Sequence, residues 1–426
     1  MGLVTSPILL TPARTMARNS PAAGSMADWF DAVVEKELSQ LAESGLLRRR
    51  PVVRPIDAVH VEIDGRVCVN FCSNNYLGLT HHPRVVAGLR AGAEKFGAGA
   101  GASGLISGFS PQHAATEAAI ALWKSTEAAV LLPSGYQANL AAVQTLAALG
   151  RSREGRPRGG GARFLIDKLA HASLLDAVRG CDAPWRVFPH NNMGKLGRLL
   201  EQADEEQIQV VVTESIFSMD GDEADLAGLD QLKRGRPFVL LLDEAHASGV
   251  YGRAGAGLAA ERGLGEMADV SVVTFSKAAG CVGGAICGKG NFCRAVLNFG
   301  RAYVYSTSIP AAMAASIEAA IGVMRDEPGR QDRVRELSRR FRAGLRGKGR
   351  EVAEGDSPIV PIIVGSESAA MEMSERLLDR QLLVGAVRPP TVARGTSRLR
   401  VTLSCEHREE EIARLGDALV VGQFEC

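Results

Sequence analysis

No apolar run in this 426-residue chain approaches the roughly 18 residues that suggest a membrane-spanning helix, so a soluble protein is expected. Charge of one sign is missing too. The 49 basic residues face 48 acidic ones for a net charge of +1, with no dense Lys/Arg stripe. That balance argues against a nucleic-acid surface and for a small-molecule partner. The eight cysteines (Cys68, Cys72, Cys181, Cys281, Cys287, Cys293, Cys405, Cys426) include no C-x-x-C pair and no zinc-finger spacing. They read as small buried hydrophobes of a protein in the reducing cytoplasm, with no metal site. The absence of G-x-x-x-x-G-K-[ST] removes a P-loop nucleotide enzyme. Gly99, Gly101 and Gly104 match G-x-G-x-x-G on paper. They follow a helical pattern rather than a strand, however, so they read as closely packed or flexible backbone bordering a site.

What is present is ordinary globular material, 46% hydrophobic and 23% charged, long enough for a main domain and a smaller one. Residues 1–27 hold Arg14 and Arg18 but no acid, a bias faintly like a transit peptide, and MGLVTS fits a loose acylation pattern. The favoured reading is a disordered tail, or a start at Met16 or Met26. A helix is expected from Ala27, closed by Gly45 and the basic residues 48–50, then a hairpin over 59–71 turning at Asp64-Gly65, then the irregular loop NFCSNNYLGL. Helices are expected over 83–96 and 113–123. GRSREGRPRGGG, 150–161, is expected to be a mobile insertion.

Continuous Val/Leu/Ile runs at 128–132, 163–167, 208–213, 238–242 and 270–275 alternate with helical patterns. Strands buried on both faces, separated by helices, indicate a parallel α/β sheet. Beyond Pro310 come a long helical region to Leu345, IVPIIV, another helix, LLVGAV, RLRVTLS and a helix from Glu406, which fits a smaller α+β domain. The expected division is 1–27, 28–73, 74–315 and 316–426.

Ligands of open α/β sheets bind at the carboxyl ends of strands, and there the chain carries unusual residues. Lys277 follows the strand ending at Thr274, in TFSKAAG. An amine walled by apolar groups has a lowered pKa and can form a Schiff base; the alternative is a lysine snorkelling to solvent. Ser134-Gly135-Tyr136 opens a helix as a phosphate cradle would, or forms an ordinary strand-to-helix turn. His171 suits stacking on a flat heteroaromatic ring, or is a satisfied structural histidine. Ser218 and Asp220 follow another strand, where Ser-Met-Asp-Gly also makes a turn. Asp243, with His246 three residues on, is either the carboxylate for a protonated pyridine nitrogen or a helix N-cap. A phosphate cradle, a stacking ring, a carboxylate and a Schiff-base lysine on successive strand ends are jointly specific for pyridoxal 5′-phosphate.

At this point the chain resembles the α-oxoamine synthases, pyridoxal-phosphate enzymes of fold type I, from Trp29 to Phe424. The resemblance rests on NFCSNNYLGL, SGLISG, SGYQANL, HASLLDA, ESIFSMDGD, DEAHASGVYG, TFSK, YSTSIP and RPPTVARGTSRLRVTLS. The last segment is similar to the branch that condenses L-alanine with a pimeloyl thioester. The resemblance implies a mostly parallel large-domain sheet with helices on both faces, and a smaller α+β C-terminal domain. By motif it implies that Lys277 holds the cofactor and Asp243 the pyridine nitrogen. His246 and Ser218 would contact the phenolic oxygen side, and His171 would stack on the ring and polarise the thioester carbonyl. Gly135, Tyr136, Thr274 and Ser276 would hold the phosphate. Arg388 would bind the amino-acid carboxylate, Thr391 and Asn74 would lie near substrate, and Arg48 would reach the acyl group. Tyr305–Ser308, with Ser306 and Thr307, would reach the phosphate of a neighbouring subunit, which implies a homodimer. The acyl carrier would be CoA or acyl carrier protein. The middle of TFSKAAGCVGG, the 150–161 loop and the first 27 residues depart from the commonest pattern. A family member using glycine or serine, an aminotransferase of the same fold, and a non-catalytic scaffold subunit are the competing readings.

Overall fold

The computed structural model describes residues 26–48, 50–149, 161–202 and 207–420. The tail expected over 1–27, apart from Met26 and Ala27, and all but the last residue of the 150–161 insertion lie outside them. The described residues fall into two units, divided between Arg50 and Pro51. In the first, helix α1 (Met26–Glu43) ends where Gly45 takes a φ of +66°. Its N–H donates to the Ala42 carbonyl, as the expected glycine stop requires.

The second unit begins with β1 (Arg54–Pro55) and the hairpin β2 (His60–Ile63) and β3 (Arg66–Asn70). Asp64 and Gly65 both adopt positive φ, the conformation that matches a two-residue turn to the strand twist. There follow α2 (Pro83–Phe96), α3 (Pro111–Lys124), β4 (Ala128–Leu132), α4 (Gly135–Leu149), β5 (Ala162–Asp167), α5 (Ala172–Gly180), β6 (Trp185–Phe188), α6 (Met193–Glu201) and β7 (Ile208–Glu214). Next are α7 (Leu226–Gly235), β8 (Val239–Asp243), α8 (Leu258–Glu261), β9 (Val270–Thr274), β10 (Gly284–Gly288), α9 (Gly290–Phe299) and α10 (Arg301–Val304). The C-terminal part holds α11 (Ala311–Asp326), α12 (Gly329–Gly347), β11 (Ile359–Gly365), α13 (Glu367–Asp379), β12 (Leu382–Leu383), β13 (Gly385–Val387), β14 (Ser397–Thr402) and α14 (Glu409–Val420).

The large sheet runs β4-β10-β9-β8-β7-β5-β6. All neighbours are parallel except β10, which is antiparallel to both β4 and β9. The sheet is thus mostly parallel, as expected, with β10 as its antiparallel member. Successive side chains enter opposite cores. Val211, Leu240, Leu242 and Val273 pack on one face, and Val210, Val212, Leu241 and Val272 on the other. That two-sided burial is why these strands read as unbroken apolar runs. The long helix expected over 311–345 is two helices, because Pro328 cannot continue the hydrogen-bond ladder of α11. LLVGAV is likewise split: β12 pairs with β3, and β13 with β14. The hairpin is thus joined to the C-terminal part. The Thr402 N–H donates to the Phe71 carbonyl and the Cys405 N–H to the Tyr76 carbonyl, both at 2.8 Å, which fixes the NFCSNNYLGL loop beside the end of β14.

Candidate active site

Lys277 stands three residues beyond β9, on a loop closed by Phe275 N–H to the Gly283 carbonyl and Gly280 N–H to the Lys277 carbonyl, both 2.9 Å. Its Nζ lies 2.7 Å from His246 Nε2. Burial lowers its pKa to about 8, with Arg400 adding to the effect and Asp243 and Glu214 opposing it. A lysine snorkelling to solvent is thereby set aside. His246 is buried, and its pKa falls well below the usual range through burial, then through Lys277 and Arg400. Its Nδ1 is 2.6 Å from the Tyr76 hydroxyl, which donates to Asn74 Oδ1 at 3.2 Å. A neutral His246 protonated on Nδ1 satisfies this arrangement and leaves Nε2 to accept from Lys277.

Asp243 ends β8, buried and opposite Glu214 at the end of β7. No α-helix starts at Asp243. Its Oδ1 accepts the Ala245 N–H at 2.8 Å in a local turn, and its Oδ2 accepts from Asn139 at 2.8 Å. Burial, then the Asp243 charge, pushes the Glu214 carboxyl well above the usual carboxylate range. It takes the His171 backbone N–H, while Oε1 stays buried without a hydrogen-bond partner.

His171 caps α5, its Nδ1 accepting the Ser173 N–H at 3.2 Å. The ring is exposed. Desolvation, then the Lys277 charge, nevertheless lower its pKa against the pull of Asp243. Ser134 caps the helix start as an ordinary turn residue would, its Oγ accepting the Gln137 N–H at 3.1 Å. The first intrahelical bond is Ala138 N–H to the Ser134 carbonyl, so the N–H groups of Gly135 and Tyr136 precede the ladder. A Cβ on Gly135 would approach Thr274 Cβ to 3.0 Å, so cradle and β9 end are in contact. Thr274 Oγ1 lies 2.8 Å from Ser276 Oγ.

Ser218 lies in the expected turn, and Gly221 N–H donates to the Phe217 carbonyl at 2.8 Å. The Ser218 carbonyl accepts from Arg400 Nε at 2.7 Å, and Asp220 pairs with Arg398. Arg400 also donates to Asn74 Oδ1 at 3.1 Å, which brings Asn74 into the same cluster. Arg388 is half-buried and Thr391 exposed on the turn after β13, where the Thr391 N–H donates to the Arg388 carbonyl. Ser306 Oγ accepts from Gln137 of its own chain at 3.0 Å, and Thr307 is exposed. Tyr136, half-exposed, donates to Asp176. Arg48 is exposed in the N-terminal unit.

Tyr76, Asn139, Ser173, Glu214 and Arg400 join the site without a role predicted from the sequence. Each lies inside a quoted motif, and Glu214 ends a strand as Asp243 does. That position was the available clue.

Residues 35–419 match the family model described as aminotransferase class I and II. The chain is 39% identical over 387 residues to 8-amino-7-oxononanoate synthase of Thioalkalivibrio sulfidiphilus, covering 91% of this chain and 96% of that one. It is 38% identical over 384 residues to the Pseudomonas putida protein of the same name, covering 90% and 95%. Serine palmitoyltransferase of Sphingomonas wittichii superposes with a TM-score of 0.84 at 28% identity, covering 93% of this chain and 98% of that one. A serine palmitoyltransferase from S. paucimobilis with bound PLP gives the same values. 8-Amino-7-oxononanoate synthase of Francisella tularensis shares the fold, with a TM-score of 0.69 at 23% identity, covering 83% and 97%.

Proposed function

The chain belongs to the aminotransferase class I and II family, and from that membership we propose that it is a pyridoxal-phosphate acyltransferase. It joins L-alanine to a pimeloyl thioester of CoA or acyl carrier protein, releasing carbon dioxide and the thiol and forming 8-amino-7-oxononanoate, a step of biotin synthesis. The observation that carries the reading is Lys277 Nζ held 2.7 Å from a neutral His246, beside the buried Asp243, at the ends of neighbouring strands.

The residues fit the cofactor. Gly135 leaves room that a Cβ would close against Thr274, and Asp243 offers a buried carboxylate to a protonated ring nitrogen. When bound, the cofactor supplies an electron sink for the bonds broken at the amino-acid Cα. Lys277 would attach it and move the Cα proton. His246 and Ser218 would serve its phenolic oxygen, His171 its ring, and Gly135, Tyr136, Thr274 and Ser276 would hold its phosphate. Arg388 would hold the amino-acid carboxylate, with Asn74 and Thr391 beside the substrate. His171 donates from Nε2 to the thioester carbonyl. We read the active species as a cytoplasmic homodimer, with Tyr305–Ser308 serving the partner. The free cysteines among the described residues support a reducing compartment.

Mass spectrometry of products from L-alanine, glycine or L-serine with pimeloyl or palmitoyl thioester tests this. Alanine with pimeloyl thioester is expected to dominate, and Lys277→Ala to abolish turnover. A preferred serine or glycine product would reassign the substrate; steady-state turnover by Lys277→Ala would overturn the mechanism.

A further inference from the structure

Asn139 is the buried side chain that touches Asp243 but had no assigned role. It lies in the second turn of α4, 2% exposed, and its single Nδ2 donates to two acceptors. Asp243 Oδ2 and Ser173 Oγ are each at 2.8 Å. The amide cannot be turned over, because Oδ1 would then face a carboxylate oxygen at that distance. Its Oδ1 is instead left buried with no hydrogen-bond partner. A native core rarely leaves a buried amide oxygen unsatisfied, and here that cost accompanies an amide nitrogen serving both acceptors.

The direction of the remaining bonds follows. With an Asn139 hydrogen on its oxygen, the Ser173 hydroxyl is free to donate, and its Oγ lies 2.8 Å from His171 Nδ1. The Ser173 backbone N–H reaches the same Nδ1 at 3.2 Å. Nδ1 is therefore an acceptor and the imidazole proton sits on Nε2. Ser173 is fully buried, so no solvent competes for its hydroxyl. Asp243, Lys277 and Asp176 are the charged groups that bear on the ring.

We propose that Asn139 is a positioning residue: through Ser173 it ties the Asp243 carboxylate to the His171 imidazole and holds that ring as the Nε2–H tautomer. One buried amide thereby orients both groups assigned above to the cofactor and the thioester carbonyl. The proposal rests on that assignment for its catalytic meaning, but its geometry can be tested without turnover.

The test is long-range 1H–15N correlation on holoenzyme labelled with [15N]histidine, with the His171 signals assigned by their loss in His171→Asn. In the unsubstituted enzyme a protonated Nε2 and a hydrogen-bonded Nδ1 are expected. Asn139→Ala should move the Nδ1 resonance downfield, toward an unbonded ring nitrogen, although Asn139 does not touch His171. Ser173→Ala should move it at least as far, and Ser173→Thr should restore it. The double variant should match Ser173→Ala, since without the hydroxyl Asn139 has no route to the ring. Asn139→Ala should also weaken PLP retention, and kcat/KM should fall about tenfold, as for a misplaced acid–base group. An unmoved Nδ1 signal in Asn139→Ala or Ser173→Ala, or additive shifts in the double variant, would overturn the coupling. If Asn139→Ala does not fold, the Ser173 pair decides alone. Failure of the alanine and pimeloyl assay with intact His171 shifts would instead sink the substrate reading and leave the coupling standing.

Discussion

At Lys277 the pKa sets when the amine is a nucleophile. Burial brings it to about 8 from an ordinary 10.5, so half of it is neutral near pH 8. The rate at which apoenzyme captures PLP, followed by the cofactor's visible absorbance, is expected to rise with pH and level off just above 8. A rate still climbing toward pH 10 would mean that the amine is not desolvated as the geometry has it. The same residue shows what a sequence can and cannot reveal about a site. Lys277, Asp243, His171 and His246 stand at strand ends, where local pattern marks them as ligand-facing. Asn139, Tyr76 and Arg400 act through contacts with residues 104, 170 and 326 positions away. No local spacing encodes such contacts; only the closed sheet creates them.

Among the elements, β10 was the hardest to see. GAICG begins and ends in glycine, whose strand propensity is poor, so its pattern does not stand out as a strand. Glycine is required at its start by close approach. A Cβ on Gly284 would lie 2.6 Å from Gly135 Cα and 2.7 Å from the Ser134 carbonyl carbon. Gly284→Ala is therefore expected to displace the cradle turn, destabilising the fold by about 1–3 kcal/mol and lowering PLP affinity, measured by melting and by cofactor titration. The β3 end supplies a second case. His407 stacks on Phe71 with centroids 4.4 Å apart, its Nδ1 accepting the Ser404 N–H at 2.9 Å. Burial lowers its pKa from 6.5 to about 4. Between these values the unfolded chain binds the extra proton, so this stability is full above pH 6.5 and is lost as the pH falls toward 4. The loss is on the order of 3 kcal/mol. Urea midpoints across that window should show a slope that His407→Gln flattens. His60, between Asp57 and Glu411, has a raised pKa and opposes the trend, with stability lost as pH rises through its folded value. Neither effect was legible beforehand, since both depend on the junction of the hairpin with the C-terminal part. The five apolar strands were legible because burial on both faces admits little else.

For the whole molecule the open question is what covers the apolar surface around the glycine-rich loop. Ile106 is 81% exposed and Tyr305 73%, with Leu105 and Phe109 also exposed. These residues share one region, for the Ser308 N–H donates to the Ala102 carbonyl at 3.0 Å and a Cβ on Gly104 would meet the Tyr303 hydroxyl. Large apolar side chains concentrated on one patch mark a binding surface rather than ordinary solvent-facing residues. The patch adjoins Ser306, which is bonded to Gln137 beside the cradle turn, so a second copy seated there would reach the phosphate end of a site. A two-fold pairing uses the same patch on both chains, and one charge introduced at its centre is therefore felt twice. Sedimentation velocity is expected to show a dimer. Ile106→Asp should shift it toward monomer and release PLP in parallel, while leaving the helical circular dichroism intact. A variant that stays dimeric and retains its cofactor would place the subunit contact elsewhere on the surface.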